Sequence, residues 1–149
     1  MKILVLCTGN SCRSQMAEGY LRKYADASVE VYSAGIEAHG LNPNAVASMA
    51  RDGVDISGQK STLVDEYLHV AFDLILTVCD NAQENCPIFT VQPGTPTLRV
   101  HHSFPDPAKA QGTPEEIQAA FDTVRDQIKD YCRRLMESQT TPLTTPVDR

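Results

Sequence analysis

Apolar positions along the chain follow two rhythms, and the switches between them predict the elements. Lys2–Cys7 (KILVLC) is a short, β-branched apolar run and reads as a buried strand. A polar turn containing Gly9 follows over residues 8–12. From Arg13 onward Met16, Ala17, Tyr20, Leu21 and Tyr24 recur at helical spacing. Residues 29–33 (VEVYS) alternate and predict a second strand. Asn42 is placed to cap a helix with Pro43 at its first position, Val46, Met49 and Ala50 facing inward, and Gly53 ending it. A short helix is expected over residues 63–69. Residues 73–79 (DLILTVC) predict a third strand that, like the first, ends on a cysteine. A Pro- and Gly-rich loop covers residues 87–96, and residues 97–101 form a weak fourth strand. Thr113-Pro114-Glu115-Glu116 is a capping box, after which Ile117, Phe121, Val124, Ile128, Tyr131 and Leu135 mark a long amphipathic helix. Strands alternating with helices predict a parallel sheet with helices on both faces. The ligand crevice of such a sheet lies beyond the C-terminal strand ends, where Cys7 and Cys79 both stand.

The chain has 149 residues, 42% of them hydrophobic and 21% charged. That suits one domain with a core of its own, expected over residues 1–137. The Thr/Pro-rich remainder, residues 138–149, lacks periodicity and is expected to be disordered. A formal net charge of −6 speaks against a broad nucleic-acid footprint but leaves room for a local positive pocket. The N-terminal apolar run is too short for a signal peptide, and no stretch reaches a membrane span. A cytoplasmic protein with no membrane or nucleic-acid partner is expected. There are five cysteines: Cys7, Cys12, Cys79, Cys86 and Cys132. An odd number excludes a fully paired disulfide framework, and in a reducing compartment cysteines serve catalysis, redox or metal binding more often than structure.

From Cys7 to Ser14 the chain reads C-T-G-N-S-C-R-S, a C-x5-R-S pattern between a strand and a helix. Anions bind at such places because unpaired N–H groups and the helix dipole face them. Thr8, Gly9, Asn10, Ser11, Cys12, Arg13 and Ser14 are the expected oxyanion-binding residues. Gly9 would give tight curvature or a positive φ, Arg13 a bidentate grip on a tetrahedral oxyanion, and Ser14 a hydrogen bond to the Cys7 sulfur. Helix end, Arg13 and Ser14 would together lower the Cys7 thiol pKa and make it a nucleophilic thiolate. The plain alternative is a buried cysteine in a tight turn. Cys12 is expected to fill the loop, with an oxidative Cys7–Cys12 disulfide as the alternative. Cys132, four residues after Ile128 on the apolar stripe, is expected in the core.

Cys79 and Cys86 bracket C-D-N-A-Q-E-N-C. Two core thiols or half a zinc site are the plain readings. The six intervening residues and the lack of a second pair speak against zinc, and His101 and His102 read as loop residues near the site. In a helix Cys79 and Cys86 would stand about 10 Å apart along the axis, beyond the ~7 Å a disulfide allows between Cα atoms. A bond between them requires the segment to bend or unwind, which Asn81, Asn85 and Pro87 permit. Residues 80–90 are therefore expected to rearrange on oxidation. Phe104-Pro105-Asp106-Pro107 holds a carboxylate in a rigid turn. This is either an ordinary surface feature or a general acid whose pKa is raised beside an anion.

The segment VLCTGNSCRSQMAEGY resembles the signature of the low-molecular-weight protein tyrosine phosphatases, and within that fold it is most similar to the thioredoxin-coupled bacterial arsenate reductases. Ser33-Ala34-Gly35, the Asn42-Pro43 helix, Asp55-Ile56-Ser57, Cys79 through Cys86-Pro87, and Asp106-Pro107 extend the resemblance nearly to the tail. It implies a three-layer α/β fold with a four-stranded parallel sheet of order 2-1-3-4. It implies that Cys7 attacks arsenate to form a covalent arseno-enzyme, that Cys79 attacks Cys7 and releases arsenite, and that Cys86 then draws the disulfide to Cys79–Cys86 for reduction by thioredoxin. Arg13 would hold the oxyanion and Asp106 would be the acid. Phosphate and sulfate would compete with arsenate, no tightly bound cofactor would be needed, and a monomer is expected.

Some members of the resembled family hold potassium with Asn, Glu, Ser and Asp. Asn10, Glu18 and Ser33 match, while Thr62 stands near the Asp position. The loop over residues 87–99 is a few residues longer than the family's. His102 replaces an aromatic before the Asp-Pro loop, and Ala108 follows Pro107, where phosphatases of this group carry an aromatic for a phenyl ring. A low-molecular-weight tyrosine phosphatase is the alternative, sharing Cys7, Arg13, Ser14 and Asp106 without needing Cys79 and Cys86. A reductase coupled to glutathione and glutaredoxin is another. A non-enzymatic oxyanion-binding protein is a third, and it would have no use for an acid or a thiol relay.

Overall fold

The computed structural model of the chain describes residues 1–87, 89 and 97–140, with side chains through Ser138. Four strands, β1 (Lys2–Cys7), β2 (Glu30–Gly35), β3 (Leu74–Thr77) and β4 (Leu98–His101), form one parallel sheet in the order β2-β1-β3-β4. This is the order expected from the resemblance. In β1 every residue after Lys2 is buried, and all four residues of β3 are buried. Central strands buried on both sides need cover on both faces, which is why these two read as unbroken apolar runs rather than alternating ones.

The helices are α1 (Arg13–Tyr24), α2 (Pro43–Arg51), α3 (Asp80–Glu84) and α4 (Pro114–Thr140). The apolar stripes of α1 and α4 pack on each other, burying Met16, Ala17, Tyr20 and Leu21 against a face that includes Phe121, Ile128, Cys132 and Leu135. Asn42 caps α2 by accepting from the N–H groups of Asn44 and Ala45, and Gly53, at φ +78°, lets the chain turn after it. Thr113 and Glu116 make the reciprocal bonds of a capping box at the start of α4.

Three expectations shift. The inward face of α2 is Ala45, Ser48 and Met49, with Val46 half-buried against the core, and Ala50 is exposed. Ser48 turns inward because its hydroxyl donates to Asp122 Oδ1 of α4 at 2.6 Å, a polar anchor that apolar spacing does not register. The helix expected over residues 63–69 is only a 3-10 turn, Val64–Tyr67, with Leu63 exposed. The helix α4 continues to Thr140, past the last apolar position, and the Ser138 hydroxyl bonds the Leu135 carbonyl there. Residues 141–149 of the expected tail, and most of the Pro- and Gly-rich loop with its added length, lie outside the described residues. No helix among the described residues is long and apolar enough to cross a membrane.

Parallel strands bring their C-terminal ends to one edge. Cys7 closes β1, and the Val78 N–H reaches the Leu6 carbonyl at 3.1 Å just beyond β3, so Cys79 arrives beside Cys7.

Candidate active site

The loop between β1 and α1 has its carbonyls turned outward. The N–H groups of Ile36, Glu37, His39 and Asn42 bond the carbonyls of Cys7, Thr8, Gly9 and Ser11 at 2.7 to 3.1 Å. Gln15 Nε2 takes the Asn10 carbonyl and Met16 N–H the Cys12 carbonyl. Among the described residues, no protein acceptor holds the N–H groups of Gly9, Asn10, Ser11 and Cys12. Unpaired N–H groups at the start of a 12-residue helix make a cradle for an anion. They border a cavity of about 150 Å³ lined by Cys7, Thr8, Gly9, Ser11, Cys12, Arg13, His39, Asp106 and Ala108.

Asn10 braces this loop from behind. It is fully buried and takes φ 47°, a left-handed conformation that asparagine tolerates. Its Oδ1 accepts from the Thr62 N–H (2.8 Å), and its Nδ2 donates to Ser14 Oγ (2.8 Å) and Ser33 Oγ (3.0 Å). One sequence reading is narrowed here and one is corrected. The positive φ belongs to Asn10 and not to Gly9; Gly9 is small because the His39 ring occupies the space a side chain would need, with Nδ1 only 2.3 Å from an added Cβ. The Ser14 hydroxyl is held by Asn10, and among the described residues it makes no hydrogen bond to the Cys7 sulfur. Asn10 and Ser14 therefore shape the loop, while His39 borders the cavity. No signal along the sequence marks His39; only the folding of residues 36–42 along the loop brings it there.

Cys7 lines the cavity, and Cys79 lies directly beside it, so the two thiols set each other's protonation. Cys79 is drawn down to about 5, first by the hydrogen bond from Cys7 and, against the cost of burial, by Thr8, whose Oγ1 lies 3.2 Å from its sulfur. Cys7 is pushed far above the ordinary thiol range by the same bond and by burial, and Arg13 only partly offsets this. The lowered pKa thus belongs to the coupled pair rather than to Cys7 alone. Arg13 favours the Cys7 thiolate, and Cys79 beside it competes for the same charge. The pair ionises as a unit, readily once and with difficulty twice.

Arg13 spans the cavity wall. Nη1 donates to the Phe104 carbonyl (3.1 Å) and Nη2 lies 3.6 Å from Asp106 Oδ2, so the guanidinium ties the cradle to the Asp106 turn. Asp106 Oδ1 accepts from the Ala108 N–H (3.0 Å), which fixes the carboxylate over the opening. Cys12 caps α1, lines the cavity and is pushed up to about 11 by burial. Cys132 is fully buried against the Ala17 carbonyl in the core, as expected. His102 lies against Phe104 and Tyr131, ring centroids 4.6 and 4.5 Å away, so it fills an aromatic's place and burial lowers its pKa.

Cys86 stands apart from the other two thiols. The helix α3 begins at the Cys79 cap and ends before Cys86, which is half-buried with its sulfur 3.1 Å from Arg99 Nη1. All five cysteines are free thiols.

The residues matching a potassium site do come together, but not as a cation cage. Ser33 Oγ donates to Glu18 Oε1 (2.6 Å), Asn10 turns its amide nitrogen toward Ser33, and Arg22 bonds Glu18 Oε2 through both Nε (2.9 Å) and Nη2 (2.8 Å). The guanidinium already supplies the countercharge, and an amide nitrogen cannot ligate a cation. These residues do not fit potassium. Glu18, Ser33 and Arg22, but not Asn10, line a larger hollow of about 740 Å³ whose lining contains none of the thiols.

The family model for low molecular weight phosphotyrosine protein phosphatases matches residues 2–143. The arsenate reductase of Halalkalibacterium halodurans is 54% identical over 138 residues, which cover 91% of this chain and 95% of that protein. That of Bacillus licheniformis is 52% identical over 139 residues with the same coverage. A solved structure of an arsenate reductase in the oxidized state superposes with a TM-score of 0.72 at 29% identity, covering 92% of this chain and 97% of the other. With its cradle, its paired thiols and a match across nearly its full length, the chain belongs to the low molecular weight phosphotyrosine protein phosphatase family and groups there with proteins named arsenate reductases.

Proposed function

We propose that this protein is an arsenate reductase that moves a single disulfide through Cys7, Cys79 and Cys86 to thioredoxin. One observation carries the reading: Cys79 lies directly beside Cys7, the thiol that lines the anion cavity, and the two set each other's protonation. Hydrolysis of a phosphate ester needs one nucleophilic thiol. Reduction of As(V) needs two electrons, and a second thiol in contact with the first supplies them.

Arsenate enters the N–H cradle and is gripped by Arg13. The Cys7 proton passes along the existing bond to Cys79, and the Cys7 sulfur attacks arsenic while Asp106 protonates the departing oxygen. Cys79 passes that proton on to solvent, and its thiolate attacks the Cys7 sulfur. A Cys7–Cys79 disulfide forms, the sulfur–arsenic bond breaks, and its electron pair leaves with arsenite. Cys86 attacks Cys79 and frees the Cys7 thiolate, which Arg13 and the start of α1 stabilise. Helix α3 separates Cys79 from Cys86, so this step unwinds it. Thioredoxin reduces the Cys79–Cys86 bond. The reading also makes the protein a cytoplasmic monomer with no resident cofactor, with phosphate and sulfate competing for the cradle. Ala108 at the cavity rim offers no ring for an aryl substrate, which disfavours the tyrosine phosphatase alternative.

The test is arsenate-dependent NADPH oxidation with thioredoxin and its reductase, run beside glutathione with glutaredoxin and beside hydrolysis of an aryl phosphate. Activity with thioredoxin alone, lost in Cys7→Ser, Cys79→Ser and Cys86→Ser, is expected. Full multiple turnover in Cys79→Ser or Cys86→Ser would overturn the three-thiol relay.

A further inference from the structure

Strand β4 touches both ends of the segment between Cys79 and Cys86. His101 Nε2 lies 3.0 Å from Asp80 Oδ1 at the start of α3, and its Nδ1 is bonded to Thr77 Oγ1 at 2.7 Å. Arg99, two residues earlier and so on the same face of the strand, places Nη1 3.1 Å from Cys86 Sγ at the other end. Cys86, Arg99 and His101, with Gln83 and the apolar Ile75 and Val100, line a separate cavity of about 180 Å³. Arg99 makes no other hydrogen bond or ion pair among the described residues, and Cys86 Sγ also lies 3.7 Å from the Pro87 carbonyl.

We propose that Arg99 is a positioning residue for the third thiol: it holds Cys86 Sγ on β4, in a positive local field, ready to attack. The proposal rests on the reading of Cys86 as the thiol that resolves the Cys7–Cys79 disulfide. In that step the Cys86 thiolate attacks Cys79 Sγ, the Cys79–Cys86 bond forms, the Cys7–Cys79 bond breaks, and the electron pair leaves on Cys7. No net oxidation occurs. Each end of the exchange then has its own arginine, Arg99 beside the entering thiolate and Arg13 beside the leaving one. Once Cys86 is in the disulfide it carries no charge, and the Arg99 contact loses its electrostatic reason to persist.

The test reads the field first. In the full-length reduced protein at low salt, the rates of Cys86 carboxymethylation by anionic iodoacetate and of carbamidomethylation by neutral iodoacetamide are followed by mass spectrometry of the Cys86 peptide. Both reagents consume the same thiolate, so their ratio isolates the local charge. Arg99→Leu should lower the iodoacetate-to-iodoacetamide ratio by about fivefold, the weight of one charge pair at close range in water, and Arg99→Lys should keep most of it. The exchange is read second, by disulfide mapping at short times after one equivalent of arsenate or, in parallel, of the thiol oxidant diamide. Arg99→Leu should accumulate Cys7–Cys79 at the expense of Cys79–Cys86, with Arg99→Lys in between. An unchanged ratio, or a changed ratio with an unchanged disulfide distribution after diamide, would overturn the role of Arg99. Failure of arsenate alone to form a disulfide would count against the reductase reading while the diamide arm still judges Arg99.

Discussion

Cys7 and Cys79 stand side by side at the ends of neighbouring strands, and the two thiols share one negative charge readily and a second with difficulty. The neighbouring strands β1 and β3 create the contact, in a register that sets Leu6 beside Thr77. Because Cys79 is brought down to about 5, the pair should hold one thiolate at neutral pH, and ultraviolet thiolate absorbance should titrate with a midpoint near that value. Cys7→Ala removes the donor and should move the Cys79 midpoint upward. Cys79→Ala should bring the Cys7 thiol down, since Arg13 then acts without the competing bond. Equal midpoints in the native chain and in Cys7→Ala would show that the pair does not set the charge.

Asp106 is tied to Arg13 at 3.6 Å and to the Ala108 N–H, and both bonds leave the carboxylate over the cavity. Asp106→Asn keeps the size and the hydrogen-bond acceptor but removes the proton donor. The first turnover should slow by roughly a hundredfold or more, while binding of phosphate, read by its inhibition constant, changes little. Rapid-quench formation of arsenite at the native rate would remove Asp106 from the acid step.

Gly35, at the end of β2, is a backbone constraint on the cradle. A Cβ there would fall 2.1 Å from the Glu37 carbonyl oxygen and 2.8 Å from both the Asn10 nitrogen and the Thr8 carbonyl oxygen. None of these atoms belongs to a side chain that can swing away. Gly35→Ala should destabilise the protein by about 1–3 kcal/mol, the usual range for forced overpacking, and should cost phosphate affinity as well. A variant with native urea midpoint and native inhibition by phosphate would mean that the loop yields more easily than its packing indicates.

How much of this was readable along the chain depends on whether the cause is local. Strand and helix positions, the Asn42 and Thr113 caps and the strand-end placement of Cys7 and Cys79 follow from spacing and capping chemistry within a few residues. The sheet order came with the family resemblance rather than from spacing. Ser48 facing inward and His39 at the cavity depend on partners far along the chain, and no local pattern encodes them. The coupling of the two thiols escapes the sequence for the same reason. Helix end and Arg13 are visible beside Cys7 in the sequence, whereas the deciding neighbour, Cys79, lies 72 positions away.

Helix α3 should be the segment that reports oxidation. It is five residues long, below the length at which a helix sustains itself, and a Cys79–Cys86 bond cannot span it intact. Oxidised Cys7→Ser protein, in which only Cys79 and Cys86 of the proposed relay remain, should lose amide protection over residues 83–85 and shift the backbone resonances of residues 80–87. The strands β1 and β2 should not change. Identical shifts in the reduced and oxidised forms would show that the disulfide closes without unwinding.

Tyr20, Asp52 and Lys129 join α1, the end of α2 and α4 in one polar knot beneath the core. The Tyr20 hydroxyl donates to Asp52 Oδ2 at 2.7 Å, and Lys129 Nζ lies 2.9 Å from the same oxygen. The Tyr20 hydroxyl, first among the causes, and Lys129 hold the Asp52 carboxyl below its usual range. A carboxylate whose folded pKa is depressed adds stability that is complete above its unfolded pKa, about 4, and is lost as pH falls through the lower folded value. Tyr20→Phe should therefore cost about 1.5 kcal/mol at neutral pH, the low end for a hydrogen bond to a charged group because Asp52 is partly solvated. The difference from the native chain should narrow only below pH ~4, once Asp52 is protonated in both. Urea denaturation of the two proteins across the acid range measures this directly. A gap that stays constant into strong acid would assign the loss to packing of the ring rather than to the bond with Asp52.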